Sequence, residues 1–411
     1  MLWTLTQELG WLHLYPEAEG FIDLPNWAAT HFYDDDLDYL GGLCIVYNAC
    51  AAYQISEEKT SGYPALKRNI DRFTNYRKLR DDGYFSLPVR NAAQKSEGKY
   101  RVVEKSLDNS SKSQKARPIG VSVKKNMSYN LQQFERLTIL PYDLENETVE
   151  INNPFYPCRP FIRLEARHTG TGYDDAKAIV IAGFDKKNMH KEQIELNFKE
   201  ALDLKGKEAL GLYVLGSGKG FLTLSMKSGF SDNYMHRGLC FHILPLNFSG
   251  WKYITLCEPN NGDFPQLLAD LVSLSKERFV GFVHKYMREI IDYAKISQIT
   301  IDFHDGAEGI CLGDIKAMPV SREAVAKPGV CINGHTLRFD CDLKPGSYLE
   351  YELGMDHALV YDEYGKSQTC GVDGETPEIP SGASSVTLLG KAEGTRRLAG
   401  HIIVYGDTLT N

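Results

Sequence analysis

The chain has 411 residues, too many for one ordinary hydrophobic core, so about two to four domains are expected. Its net charge of -8 argues against nucleic acid as the main partner, because phosphate binding needs a clustered basic surface. Its 43% apolar and 24% charged residues are those of a soluble globular protein, and no stretch stays apolar long enough to span a membrane.

In chain order, Leu9–Tyr15 reads as a strand and runs into Pro16–Gly20, a loop that carries Glu17 and Glu19. Asp34, Asp35 and Asp36 then precede Leu37, Leu40, Leu43 and Tyr47. That apolar spacing predicts a helix, with carboxylates at the positive end of its dipole. Gly41 and Gly42 lower its propensity but permit close packing on a sheet. Ala49–Ile55 has the length of a strand, and Pro64, Leu66, Ile70, Phe73 and Tyr76 trace a second helix. Pro64 suits the first turn of that helix, Arg77, Lys78 and Arg80 its last, and Gly83 its C-cap.

From Gly83 the pattern turns to β. Strands are expected at Lys99–Val103, Pro118–Val123, Phe161–Ala166, Ala178–Ala182, Leu210–Leu215, Phe221–Leu224, His236–Leu244, Trp251–Leu256 and Ile299–Ile301. Residues 265–294 have faces that also suit a helix. After Val330, Asn333–Gly334 marks a hairpin, and further Gly turns at Gly346, Gly365, Gly374 and Gly382 are spaced as in a small sandwich.

Nine cysteines are scattered with no CxxC pair, which is neither a disulfide framework nor a zinc site. They read as buried thiols, and reduced cysteines favour a cytoplasmic setting. The N-terminal residues lack the basic region of a signal peptide. Val214–Gly220 departs from the spacing of a phosphate loop and precedes a strand rather than a helix, so it reads as a hairpin turn. Asp302, His304 and Asp305 are too few for a metal site, and no metal or cofactor is assigned. Trp251 and Tyr253 could stack on a sugar, but in an alternating strand Trp251 is expected in the core.

Several segments resemble parts of carbohydrate-active enzymes. Leu9–Tyr15, Asp38–Leu40, Ala51–Gln54 and the helix ending Tyr76–Arg80 before Gly83–Phe85 resemble the last two βα units of a glycoside-hydrolase-like (β/α)8 barrel. Phe248–Ile254 and Gly313–Ala317 resemble a galactose-binding-like jelly roll, and the tail resembles an immunoglobulin-like accessory sandwich. The resemblance implies a multi-domain, mostly β protein. Residues 1–83 would be a partial (β/α) barrel end and 84–153 a small β segment packing on it. Residues 154–320 would be a jelly-roll β-sandwich and 321–411 an immunoglobulin-like β-sandwich. About six barrel strands would be missing, so the chain would be the C-terminal part of an enzyme, inactive unless a partner chain completed the barrel.

The partner implied is an oligo- or polysaccharide, with no nucleic acid and no membrane. Glu17 and Glu19 are the catalytic candidates, since glycoside cleavage needs two carboxyl groups about 5–9.5 Å apart. The pair reads more readily as a solvated acidic loop, because barrel acids and bases usually come from different strand ends. His13, Tyr15, Tyr53 and Gln54 near the strand ends, and Tyr234 and His236 at the jelly-roll rim, are the substrate-binding candidates. A non-catalytic carbohydrate-binding protein and a structural assembly protein stay open as alternatives.

Overall fold

Two hydrophobic cores, each enclosed by antiparallel strands, make up most of the protein, and a small helical layer packs on one of them. The computed structural model describes residues 11–12, 33–49, 52–53, 64–105, 117–118, 127–176, 178–180, 193–229, 239–257, 292–304, 310–352, 355–362, 365–375, 377–391 and 398–411. The protein is mostly β, with several antiparallel sheets, as its composition and turn pattern predict.

The helical layer begins with a parallel pairing of Trp11–Leu12 with Ala52–Tyr53. Helix α1, Asp34–Tyr47, lies between these strands in sequence. Helix α2 spans Pro64–Asp81. It stops where the sequence predicts: Gly83 takes φ 61°, its N–H donates to Arg80 O at 2.9 Å, and the Tyr84 N–H donates to Leu79 O at 3.0 Å. These are the two bonds of a Schellman cap. A third helix, α3 at Leu87–Ser96, departs from the expectation of β structure after Gly83. Its signals are Ser86 at the N-cap position, Pro88 in the first turn and the buried i, i+4 pair Val89 and Ala93.

Gly41 and Gly42 allow the close packing that their presence in a helix implies. A methyl group at Gly42 would overlap the Tyr100 carbonyl, and one at Gly41 the Tyr76 ring. The backbone of α1 therefore lies directly against strand Lys99–Lys105.

Above α1, a 13-stranded sheet curls around one core containing Ile139, Ile162, Leu164, Val330, Leu337, Phe339, Leu388 and Ile402. Strand Phe161–Ala166 is central to it, pairing with Tyr348–Glu352 on one side and Leu398–Leu409 on the other. Strand Ser128–Ile139 pairs with Leu398–Leu409, and Thr148–Asn153 with Gly382–Lys391. Segments between residues 99 and 166 thus join the C-terminal strands in one sheet, although the sequence reading placed them in other units. Their partners are set by long-range register, which local periodicity does not encode.

The second core lies between two sheets. One orders Gln193–Leu202, Ile296–His304, Phe221–Ser228 and Leu239–Pro245. The other orders Ser249–Leu256, Ala209–Ser217, Ile315–Met318 and Ala178–Val180. Alternate residues from both sheets, such as Leu212, Val214, Ile254, Leu224, Met226 and Ile299, fill the space between them. Residues 218–220 connect Ala209–Ser217 in one sheet to Phe221–Ser228 in the other. They form a sheet-to-sheet turn and not the expected hairpin, because the two flanking strands take their partners elsewhere. Tyr142 joins the two bodies: its hydroxyl donates to Pro245 O at 2.7 Å, and its ring meets Phe248 edge-on.

Charge fastens the helices to the large sheet. Arg72 of α2 grips Asp38 of α1 through Nε and Nη2 at 2.9 and 2.8 Å. The Tyr76 hydroxyl donates to Asp38 at 2.7 Å and accepts the Val102 N–H at 3.0 Å. Arg163, 1% exposed in the middle of the sheet, donates to Glu350 through Nε and Nη2 at 3.0 and 2.8 Å. Its Nη1 lies 2.6 Å from Asp35 in the first turn of α1, and its guanidinium carbon sits 3.9 Å from the Tyr33 ring centroid. Arg136 reaches the same Asp35 at 3.1 Å. Burial opposes the charge on Asp35, but the guanidiniums of Arg163 and Arg136 hold its carboxyl well below the usual range. Glu350 is pushed up by burial, against the pull of Arg163 and with the Asp34 charge adding to the rise. His401 is held down to about 4 by burial, against a 3.6 Å contact with Glu165.

Three outcomes follow from this packing. Gly42→Ala should lower stability by about 1–3 kcal/mol through overpacking, although alanine is the better helix former; urea unfolding read by fluorescence measures it. Arg163→Ala should cost about 3–5 kcal/mol, because it leaves two buried carboxylates without their shared cation. The depressed pKa of His401 means that the unfolded chain takes up a proton before the folded one does. Stability should therefore fall as pH drops from 6.5 towards about 4, by roughly 3 kcal/mol from this group. Unfolding midpoints measured across that range should show a shallower slope in His401→Asn.

Candidate functional site

The five-stranded sheet of the second core shows one face to that core and the other outward. Inward side chains are Leu210, Leu212 and Val214 on one strand, Ile254 and Leu256 on the next, and Ile315 and Ala317 on the third. Strand alternation then turns Tyr213, Leu215, Trp251, Tyr253 and Lys316 outward. The register sets Tyr213 directly opposite Tyr253, and Leu215 opposite Trp251. Cross-strand partners share a face, so these aromatic side chains form one patch.

Trp251 is 55% exposed and Tyr213 is 43% exposed. This corrects the expectation that Trp251 lies in the core. Ile254 and Leu256 set the parity of the strand, and the core side is completed by Lys252, whose ammonium leaves it to meet Glu147 at 2.7 Å. The same ammonium lies 5.3 Å from the Tyr142 ring centroid and 5.2 Å from that of Phe248.

Beside Trp251 the tyrosines form a compact group. Tyr173, Tyr213 and Tyr253 have ring centroids 5.1–5.5 Å apart, with planes inclined at 79°, 69° and 45°. Rings this close leave no room for a ligand between them, so a ligand would lie on their outer surface beside the Trp251 indole. Gly211 leaves room for Met318 and Tyr253 to pack over its backbone: a methyl group there would come 2.6 Å from Met318 Cε and 2.8 Å from Tyr253 Oη. The Tyr253 hydroxyl points at Met318 Sδ, 3.5 Å away.

Lys316 anchors the loop that carries Tyr173. Its ammonium donates to Tyr173 O at 3.0 Å and lies 4.3 Å from the Tyr173 ring centroid. The Tyr173 hydroxyl donates to Asp314 O at 3.1 Å. Burial, followed by the neighbouring Asp314, raises the Tyr173 phenol. Tyr253 rises well above the ordinary tyrosine range through burial first and the adjacent Tyr173 and Tyr213 second. Both phenols stay protonated at neutral pH and keep the dual donor and acceptor character of a hydroxyl.

Glu17, Glu19, His13, Tyr15, Gln54, Tyr234 and His236 lie outside the described residues. The backbone of Tyr53 is placed, paired in parallel with Leu12. Of the sugar-stacking candidates read from the sequence, the structure brings Trp251 and Tyr253 together. It adds Tyr213 and Tyr173, which that reading missed. Tyr213 sits inside the apolar run Leu212–Leu215, where nothing local shows which side chains face out. Tyr173 reaches the patch from a loop. Among the described residues no cluster of His, Cys, Asp or Glu is arranged to hold a metal ion, and no helix is long and apolar enough to cross a membrane.

No family model matches the chain, and no curated protein matches it. Among solved structures it is similar to a β-1,2-glucanase from Parabacteroides distasonis, at 11% identity and a TM-score of 0.18, over 58% of this chain and 39% of that one. It is also similar to PNGF-II, solved in space group P21, at 7% identity and a TM-score of 0.15, over 59% of this chain and 66% of that one. The chain thus spans about two fifths of the glucanase and just under two thirds of PNGF-II. Likenesses at this level do not establish a shared fold.

Proposed function

We propose that the protein binds carbohydrate, and that the aromatic face of its five-stranded sheet is the contact surface. The observation that carries this reading is the exposure of Trp251 and Tyr213 side by side on one face, with Tyr253 and Tyr173 packed against Tyr213. Large aromatic side chains exposed together on a sheet mark a recognition surface rather than leftover core. A pyranose ring pairs an apolar C–H face with an equatorial rim of hydroxyls. An aromatic plane suits the first, and tyrosine hydroxyls and backbone groups at the patch edge suit the second.

The reading is of a binding surface. Two described carboxyl groups, those of Asp174 and Asp314, lie near Tyr173 at the edge of this face, and no catalytic role is proposed for them.

A glycan array on the intact chain, followed by titration calorimetry on the best ligand, tests the proposal. Trp251→Ala and Tyr213→Ala should each weaken binding about tenfold, the loss of roughly 1.5 kcal/mol of stacking. Because both side chains are exposed, the melting temperature should change little. Failure of the intact protein to bind any glycan, or unchanged affinity in Trp251→Ala, would refute this assignment.

A further inference from the structure

The large sheet holds two cysteines in a cross-strand position. Strand His335–Asp340 pairs antiparallel with Ser367–Gly374, in the register Phe339 to Val372 and Asp340 to Gly371. Cys341 follows the end of that strand, and the register carried one residue further sets it opposite Cys370. Both side chains pack against the core that contains Phe339 and Leu337. Both cysteines are free thiols and half-buried, and they lie near enough for each to perturb the titration of the other.

Directly opposed Cβ atoms in an antiparallel pair lie about 4.5–5.5 Å apart. A disulfide needs about 3.5–4.5 Å between Cβ atoms and about 4.4–6.8 Å between Cα atoms. Two thiols on the same face of neighbouring strands, packed on the same core, need only a small side-chain and strand adjustment to meet that geometry. We propose that Cys341 and Cys370 form a reversible disulfide when the chain meets an oxidising small-molecule disulfide such as oxidised glutathione.

The chemistry is two successive thiol–disulfide exchanges. Cys370 loses its proton to solvent and attacks one sulfur of the reagent. The reagent's S–S bond breaks, a mixed disulfide forms on Cys370, and the first small thiolate leaves. Cys341 then loses its proton and attacks Cys370 Sγ, forming the protein disulfide and releasing the second small thiolate. Both thiolates take up the released protons. The protein dithiol is oxidised by two electrons, and the reagent is reduced to two thiols. Burial pushes Cys341 up to about 12 and raises Cys370 as well, so little thiolate is present and the exchange should be slow.

The link would close a loop holding strands Tyr348–Glu352 and His357–Tyr361. Those strands carry Tyr348, Glu350 and Tyr361, so oxidation would fix the part of the sheet that receives Arg163. Closing a loop of this length restricts the unfolded chain.

The test uses the full chain, incubated with oxidised glutathione or with a reducing agent, then alkylated and digested without reduction. The expected result is a cross-linked pair of peptides containing Cys341 and Cys370, an intact mass lower by two hydrogens, and a melting temperature raised by about 5 °C or more. Cys341→Ser and Cys370→Ser should each lose the link and the rise in melting temperature. The wild-type peptide map decides the question even if a variant fails to fold. Free thiols at both positions after long oxidation, stable glutathione adducts on either one, or linkage to other cysteines would overturn the inference.

Discussion

A buried guanidinium joins the two structural types in this protein. Arg163 lies in the middle of the large sheet, where a positive charge is tolerated only with partners close at hand. It finds Glu350 on the neighbouring strand and Asp35 on α1, with the Tyr33 ring over its face. The contact with Asp35 turns a costly buried charge into a constraint on where α1 can sit. Arg72, Asp38 and Tyr76 extend that constraint to α2 and to strand Lys99–Lys105. Such a network adds little net stability compared with an apolar replacement, but it penalises any misplaced docking heavily.

Gly42 works in the same direction by a different mechanism. It removes the side chain that would hold α1 away from the sheet. Contact between helix backbone and strand backbone then brings Asp35 and Asp38 within reach of their arginines. Steric permission and charge pairing therefore specify one docking geometry together.

The second core has a different logic, and its consequence is the aromatic face. A two-sheet sandwich buries one side of each strand, so every outward side chain is a by-product of the inward choice. Ile254 and Leu256 turn inward, and Trp251 and Tyr253 must then turn outward. The exposure of Trp251 is enforced by the parity of its strand rather than by any preference of the indole for water. The same parity on the neighbouring strand brings out Tyr213, and the register aligns the two.

Much of the local structure was legible in the residues. The Asp-rich start of α1, the Pro64 start of α2 and its Gly83 cap follow from dipole, φ and capping chemistry that act within a few residues. The Asn333–Gly334 turn, with both residues at positive φ, is equally local. The mostly β character, strands such as Lys99–Lys105 and Phe161–Ala166 and the aromatic residues capable of stacking are present in the sequence alone, whereas the strands Ser128–Ile139, Thr148–Asn153 and Gln193–Leu202 are not marked by it. Tertiary structure decided which strands share a sheet, which face of Ser249–Leu256 looks outward, and where the carboxylates of α1 find their cations. Those outcomes depend on partners such as Arg163 and Glu350, 187 residues apart, or Thr148 and Thr387, 239 apart. Strand pairing and charge burial are settled by the whole chain competing for one core, and periodicity within a short window carries no record of that competition.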